Sequence, residues 1–463
     1  MPPNETPMRA KKRPISPHVA WFREAAPYIN AHRERTFVVC IGGEMALQEG
    51  FAALLHDIAI LQTLGVRLVV VHGARPQIER RLQEQGADMQ YVHGLRLTDA
   101  VALQAVKEAA GALRAEIEAL LSMGLPNTPM SGVRLRVSSG NYVTARPLGV
   151  RGGVDYQHTG EVRRVDTDGL RRPLQAGDLV LLPPLGYSPT GEIFNLSAEE
   201  VATEVAIALQ ADKLIFFSHT DALRDGRRRP LMQLTAEQAG ALLQDCPPLP
   251  EDLSAQLLCA TRASRAGVPR IHLVDRDRDG ALLMELYTRE GAGTLVTGER
   301  YERLRQAHIE DVGGLLELIQ PLEAEGILVR RSREQLELEI ERFAVIERDG
   351  MILACAALYP FPEEGVAELA CVAVHPDYRG AGRAETLVAH QEQQAVRMGI
   401  ERVFVLTTRT AHWFRERGYE PGDMEALPIE RRRMYNFQRN SKIFIKALDP
   451  RKKRGRDAPS LRP

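Results

Sequence analysis

Short apolar runs alternate with longer segments of helical periodicity through the larger, N-terminal part of the chain. Residues 36–41 and 66–71 are aliphatic or β-branched runs that end in Gly42-Gly43 and in His72-Gly73-Ala74-Arg75-Pro76, and 213–218 and 270–274 repeat the pattern. Segments 51–64, 192–209 and 260–266 read as helical, and 280–288 leads into Gly291-Ala292-Gly293-Thr294. Strands that are apolar on both faces predict a parallel sheet with helices on either side, an α/β doubly wound arrangement. Ligands in such sheets sit at the carboxyl ends of strands, where Gly42, Gly43, His72 and Gly73 fall. Ahead of the first run, 19–32 carries Val19, Phe22, Ala25, Ala26 and Ile29 on one face. This amphipathic helix must cover its own domain or a neighbouring subunit. The glycine- and arginine-rich stretch 142–182 predicts hairpins at a sheet edge.

Near residue 297 the pattern changes. Helices are predicted over 311–319 and 335–340, and strands over 343–347, 353–359, 366–374 and 402–407. The most informative stretch is 368–394. Its apolar run 369–374 is stopped by Pro376, Arg379-Gly380-Ala381-Gly382-Arg383-Ala384 turns the chain, and 385–396 continues as a helix through Leu387, Val388, Gln391 and Ala395. A strand, a glycine-rich turn and a helix build an anion site, because small residues let backbone N–H groups converge and the helix N-terminus is positive. Arg379 and Arg383 add charge beside it. The chain therefore divides into a basic tail (1–17), an α/β domain (18–296), an α+β domain (297–448) and a second basic tail (449–463), both tails reading as disordered.

Composition narrows the class without naming a function. A chain of 463 residues is long for one core, and its formal net charge of -1 gives no electrostatic reason to expect nucleic acid or a membrane surface. The five cysteines are odd in number and scattered, with no Cys-x-x-Cys pair, so no metal is expected and reduced thiols in a cytoplasmic setting are. No apolar stretch approaches the roughly 20 residues that span a bilayer, and the proline-rich start has no apolar core behind it.

The spacing Arg-x-x-Gly-x-Ala from Arg379 to Ala384, in its Cys-Val-Ala-Val-His-Pro-Asp-Tyr-Arg context, resembles the coenzyme-A loop of the GCN5-related N-acetyltransferases (GNAT). Residues 19–296 resemble the amino-acid kinase fold, acetylglutamate kinase in particular, with departures. Cys40 stands where that family has a lysine in its first loop, Ala74 and Arg75 replace two glycines of its second loop, and Ser197-Ala198-Glu199 replaces its Asn-Ala-Asp segment. Leu253 to Leu258 replaces a lysine-bearing segment. Phosphoryl transfer depends on positioning and charge neutralisation, so loss of the lysines predicts a kinase-shaped domain without kinase activity. An arginine side chain at 75 is expected to fill the phosphate pocket.

Taken together the two halves resemble the bacterial N-acetylglutamate synthases. That resemblance implies acetyl-CoA as cosubstrate and L-glutamate as acceptor, with direct transfer and no acyl-cysteine; Cys371, beside the loop, is the thiol to watch. It nominates Glu368 as general base acting through a water and Thr407 as donor to the leaving thiolate. Val372 and Val374 would line the acyl and pantetheine arm, with the Val372 amide on the oxyanion, and Arg379, Gly380, Ala381, Gly382, Arg383 and Ala384 would hold the cofactor. Arg331 and Arg439 would grip the substrate carboxylates. By resemblance to arginine-sensitive relatives, Glu285 with Gly291, Gly293 and Thr294, and Lys213 and the His272-Leu273 backbone nearby, would bind L-arginine as inhibitor, with helix 19–32 building a hexamer. The alternative is an arginine-sensing acetylglutamate kinase with an appended acetyltransferase; Cys40, Arg75 and Glu199 speak against it. A non-catalytic arginine sensor and a protein-lysine acetyltransferase fit less well, the first because the loop is intact and the second because it gives no reason for an amino-acid-binding domain.

Overall fold

The computed structural model describes residues 16–92, 94–123, 135–219, 223–224, 230–244, 249–298, 302–348, 350–380, 382–433 and 441–448. The two basic tails lie outside these residues except for Ser16 and Pro17, and Pro17 already opens a helix, α1 (Pro17–His32). The chain separates into two compact units, Met1–Glu299 and Arg300–Pro463.

The first unit is built on an eight-stranded sheet. Its strands in chain order are β1 (Thr36–Ile41), β2 (Arg67–His72), β3 (Val137–Ser138), β4 (Leu179–Leu182), β5 (Lys213–Ser218), β6 (Gln233–Thr235), β7 (Ile271–Asp275) and β8 (Gly293–Thr297). Across the sheet they run β6-β8-β7-β5-β1-β2-β4-β3, parallel except where β7 meets β8. Alternate residues feed two separate cores. Phe37, Val39, Ile41, Leu68 and Val70 face one, and Val38, Cys40, Val69 and Val71 face the other, as a doubly covered parallel sheet requires. Stretch 142–182 holds the expected hairpin strands, Val143–Pro147 against Gly160–Val165. It also contains the helix Thr167–Gln175 and β4, a full member of the parallel sheet. The stretch 192–209 is a short strand, Ile193–Asn195, before the helix Ala198–Leu209, which Ser197 caps through its hydroxyl.

The second unit is a seven-stranded sheet of β9 (Arg303–Gln306), β10 (Phe343–Arg348), β11 (Met351–Phe361), β12 (Val366–Val374), β13 (Arg402–Thr407), β14 (Glu420–Gly422) and β15 (Lys442–Ala447), in the order β9-β10-β11-β12-β13-β15-β14. Neighbours are antiparallel except β12 and β13, which pair in parallel over Val366–Glu368 against Arg402–Phe404 and then part. Ala354, Ala356 and Leu358 of β11 and Ala367 and Leu369 of β12 face a core completed by Leu387 and Val388 of the helix Arg383–Arg397. The opposite face is covered at one end by Leu315, Leu318 and Ile319 of the helix Val312–Ala324 and by Leu336 of the helix Arg333–Glu339. Phe414 and Tyr419 are buried and Trp413 packs against the first of these cores.

One irregularity sets the chemistry of this sheet. Between Cys355 and Ala357 of β11 the register on β12 jumps from Ala373 to Ala370, so Cys371 and Val372 together oppose Ala356. Cys371 adopts φ +52°, in the left-handed region where non-glycine residues are uncommon. A β-bulge of this kind inserts one residue and reverses the alternation beyond it. Leu369 therefore faces the helix Arg383–Arg397, but so do Val372 and Val374, whereas Cys371 and Ala373 turn to the other side.

Candidate active site

The point at which β12 leaves β13 is occupied by Glu368. It is opposite Tyr359 on β11 and Phe404 on β13, and its neighbours Ala367 and Leu369 face the helix-covered core, so its carboxylate lies on the other face with Tyr359. The residue is 7% exposed. A charge so placed needs a partner, and Arg431, on the short helix Ile429–Arg433, donates from Nε to Oε2 at 2.5 Å and from an Nη to Oε1 at 3.0 Å. This two-point fork fixes both oxygens in one orientation. Sequence reading missed Arg431. It stands in Arg431-Arg432-Arg433, where nothing local distinguishes a buried partner from solvated charge.

Arg331 lies on the same side. It precedes the helix Arg333–Glu339, its backbone N–H donates to Glu323 Oε1 at 2.9 Å, and its guanidinium hydrogen-bonds the Tyr359 hydroxyl. Tyr359 also donates to Glu339 Oε2 at 2.6 Å. The structure thus brings Glu368, Tyr359, Arg331 and Arg431 to one face. Arg439, the second expected carboxylate grip, lies outside the described residues. Thr407 ends β13; it is 8% exposed, and its hydroxyl oxygen accepts the Thr410 N–H at 3.0 Å and shares a 2.7 Å bond with the Thr410 hydroxyl.

The glycine turn has the backbone of an anion cradle. Gly380 and Gly382 take φ +88° and +75°, conformations that a side chain would strain. Gly382 precedes the helix Arg383–Arg397 without any side-chain cap, which leaves the first-turn amides for an outside acceptor. Uncapped amides beyond a pair of parted strands suit a long thioester with a pyrophosphate at one end. Arg379 is exposed, its Nε 3.5 Å from the Val374 carbonyl. Arg383 is bonded within the chain. Its guanidinium forms a fork with Glu302 (2.5 and 2.9 Å) and donates to the Tyr378 carbonyl at 2.6 Å, so its charge is matched internally and it braces the turn. Ala381 lies outside the described residues, and Ala384 is in the first turn of the helix.

The first unit holds a second charged cluster. Glu285, on the helix Ala281–Tyr287, accepts from His272 Nδ1 at 2.6 Å through Oε1 and from the Ala292 and Gly293 amides at 2.6 and 2.9 Å through Oε2. Lys213 Nζ lies 3.3 Å from His272 Nε2. An ammonium can only donate, so Nε2 accepts and Nδ1 carries the proton toward Glu285. Burial, then Lys213, holds His272 below the usual histidine value. Burial pulls Glu285 upward, but the His272 bond and the two amides outweigh it and hold the carboxyl low. Gly291, at φ +70°, has no room for a Cβ beside Glu285, and a Cβ on Gly293 would run into the Leu273 carbonyl. Thr294 instead donates its hydroxyl to the Leu231 carbonyl. Helix α1 reaches the cluster through His32, which bonds the Leu286 carbonyl at 2.9 Å and packs on Phe37 and Tyr287.

The kinase-like loops are closed by the chain itself, though not by the residue expected. Arg75 is half-exposed and turns outward to Glu79, Asp252 and the Tyr91 ring. Gln77 fills the space instead, donating to the Gly43 carbonyl at 2.7 Å, with its Oε1 2.7 Å from where a Gly43 Cβ would stand. Cys40 is fully buried, and burial, followed by Glu199, pushes its thiol well above the ordinary range. A neutral thiol replaces the cation that phosphoryl transfer needs.

The fold and the site define an amino-acid-kinase-like domain carrying an acyltransferase of the GNAT type. Residues 35–261 match the Amino acid kinase family and residues 314–419 the Acetyltransferase (GNAT) family. The chain is 55% identical to the amino-acid acetyltransferase of Azotobacter vinelandii over 93% of its length and 99% of that protein. It is 56% identical to that of Pseudomonas putida, with the same coverage. The crystal structure of N-acetylglutamate synthase from Neisseria gonorrhoeae complexed with coenzyme A and L-arginine superposes with a TM-score of 0.84 at 38% identity, covering 94% of this chain and all of that one. The same enzyme complexed with coenzyme A and N-acetyl-glutamate gives 0.60 at 39% identity, again covering 94% of this chain and all of that one. The chain belongs to the amino-acid acetyltransferases, and it is an enzyme.

Two outcomes follow from the geometry. In a double-mutant cycle of Glu368→Gln and Arg431→Met, urea unfolding should show a coupling of about 1–3 kcal/mol, as expected for residues sharing one buried network; additive effects would show that the fork contributes nothing. The second concerns His32, where burial, with the Lys213 ammonium behind it, holds the imidazole at about 4. The folded state then refuses a proton that the unfolded chain takes up at an ordinary value near 6.5. The stability this group contributes is complete above about 6.5 and is lost as the pH falls through about 4. His32→Gln keeps a donor for Leu286 and removes the titration, so wild type should lose about 2 kcal/mol relative to the variant between pH 7 and pH 5. Equal losses in both proteins, by urea midpoints, would remove His32 from that role.

Proposed function

We propose that the chain transfers the acetyl group of acetyl-CoA to the α-amino group of L-glutamate, the first step of L-arginine biosynthesis, and that L-arginine bound by the kinase-like unit inhibits it. The observation that carries the reading is Glu368, seated where two strands part, on a strand that bulges three residues later and leads to an uncapped glycine turn. The Glu368 carboxylate takes the ammonium proton through a water. The free amine adds to the thioester carbonyl, the Val372 N–H steadies the oxyanion, the carbon–sulfur bond breaks, and Thr407 returns a proton to the thiolate. Arg331 and Arg439 hold the substrate carboxylates, while the Arg379–Ala384 turn takes the cofactor phosphates. The coenzyme A and N-acetyl-glutamate bound by the gonococcal enzyme support these two ligands.

The arginine reading is supported by the L-arginine in that enzyme and by Glu285, a buried carboxylate with three internal donors. Such a group has about four acceptor positions, so a guanidinium takes the remaining one or displaces His272. Val19, Trp21 and Phe22 of α1 stay exposed, at 43%, 53% and 59%, which supports the reading that this helix joins subunits into a hexamer. The setting proposed is the cytoplasm; no described helix is long and apolar enough to cross a membrane.

The test is CoA release from acetyl-CoA with L-glutamate as the only acceptor, with and without L-arginine. Wild type should release CoA in a glutamate-dependent way that arginine suppresses. Glu368→Gln should lower kcat about a hundredfold, the scale of losing a general base. Glu285→Ala should keep the basal rate and lose the arginine effect. Glutamate-independent or absent release would overturn the synthase reading, and undiminished arginine suppression in Glu285→Ala would remove that site. Turnover of ATP with N-acetylglutamate would instead favour the kinase.

A further inference from the structure

We propose that Cys355 and Cys371 are a site of oxidative modification, at which a peroxide joins the two thiols in a disulfide that distorts the acyl cleft. The effect on catalysis rests on the reading of β12 given above, whereas formation of the bond does not.

The bulge creates the pair. With regular alternation Cys371 would share the side of Leu369, under the helix Arg383–Arg397, and could not meet Cys355. The extra residue turns it to the face where Cys355, Ala357 and Tyr359 point. There Cys355 Sγ donates to the Cys371 carbonyl oxygen at 3.4 Å, which sets the two cysteines side by side in one core. A disulfide needs sulfurs that can reach about 2.05 Å, and the bulge sets Cys371 against Ala356, the neighbour of Cys355 on the adjoining strand.

Their surroundings separate nucleophile from partner. Cys371 is 5% exposed and Cys355 is fully buried. The Cys355 thiol, and more weakly the Arg331 guanidinium, outweigh burial and hold Cys371 below the ordinary thiol value, whereas Cys371 and burial push Cys355 well above it. By contrast, burial raises Cys40 well above the ordinary value and Cys259 to about 11. The thiolate is the form that attacks a peroxide, and Cys371 is both the more exposed of the two and the one held lower, so it reacts first.

The chemistry balances. The Cys371 thiolate attacks one peroxide oxygen, the sulfur–oxygen bond forms, the oxygen–oxygen bond breaks, and hydroxide leaves and is protonated to water. Cys355 then attacks the sulfenic sulfur, the disulfide forms, and the second oxygen leaves as water with the Cys355 proton. Two thiols and one hydrogen peroxide give one disulfide and two waters. Drawing the sulfurs to bonding distance re-sets the bulge and moves Val372, its next residue.

The experiment treats the full-length protein with hydrogen peroxide and reads two quantities. Peptide mass spectrometry should show the segments containing Cys355 and Cys371 linked, with the loss of two hydrogen atoms, while Cys40 and Cys259 remain open to alkylation after denaturation. Acetyltransferase activity should be lost in step and return with dithiothreitol. In Cys355→Ala the link cannot form, and dimedone should trap Cys371 as its sulfenic acid. Should that variant fail to fold, the wild-type mapping still decides. Unlinked cysteines after oxidation, or a linked pair with full activity, would overturn the proposal, and the mapping remains readable even if L-glutamate is the wrong acceptor.

Discussion

The acetyltransferase unit depends on a local failure of β-sheet regularity. Strands β12 and β13 pair only as far as Glu368, and three residues later β12 bulges. Continued pairing would fill the space with ladder hydrogen bonds, and an unbroken alternation would bury the wrong side chains. Parting opens the gap, and the bulge turns Val372 and Val374 to the side of the helix Arg383–Arg397. The cost is a left-handed φ at Cys371 and a buried carboxylate at Glu368. The second is offset by Arg431, so the irregular backbone and the charged fork are parts of one device.

The kinase-like unit illustrates the converse, a regular scaffold with its polar groups gathered at strand ends. Both cores of its parallel sheet are filled, and its Gly42-Gly43 and Gly73 loops still close on one another. Charge at the phosphoryl position is gone, and buried charge has collected instead at the other end of β5 and β7. There Lys213, His272 and Glu285 form a chain from ammonium to carboxylate. The fold tolerates either arrangement because strand ends, unlike strand interiors, can hold polar groups against loop amides.

Much of this was legible from residue order. Apolar runs and their glycine stops located the central strands of both sheets within a residue or two, and Arg379 to Ala384 marked the turn. The 23-residue helix Ala100–Ser122 was overlooked although Ala105, Val106, Ala109, Leu113 and Ile117 carry its period, because its small alanines give little contrast. Strand β4 hid among hairpins since Leu179–Leu182 is too short to show whether it pairs locally or far away. The partners of Glu368 and Arg383, namely Arg431 and Glu302, are 63 and 81 residues distant, and no spacing rule spans that. Gln77 was missed for a related reason. Attention went to the bulkier Arg75 two positions earlier, yet helical phase sends Arg75 to solvent and Gln77 inward.

That glutamine has an evolutionary meaning. An empty phosphate cradle could be reopened by one change, a lysine restored at position 40. With Gln77 bonded across it, the same reversion would bury an ammonium beside an amide that has no reason to leave, and nucleotide binding would return only if both positions changed together. The occupied loop therefore works as a ratchet, since no single substitution would restore an open phosphate cradle.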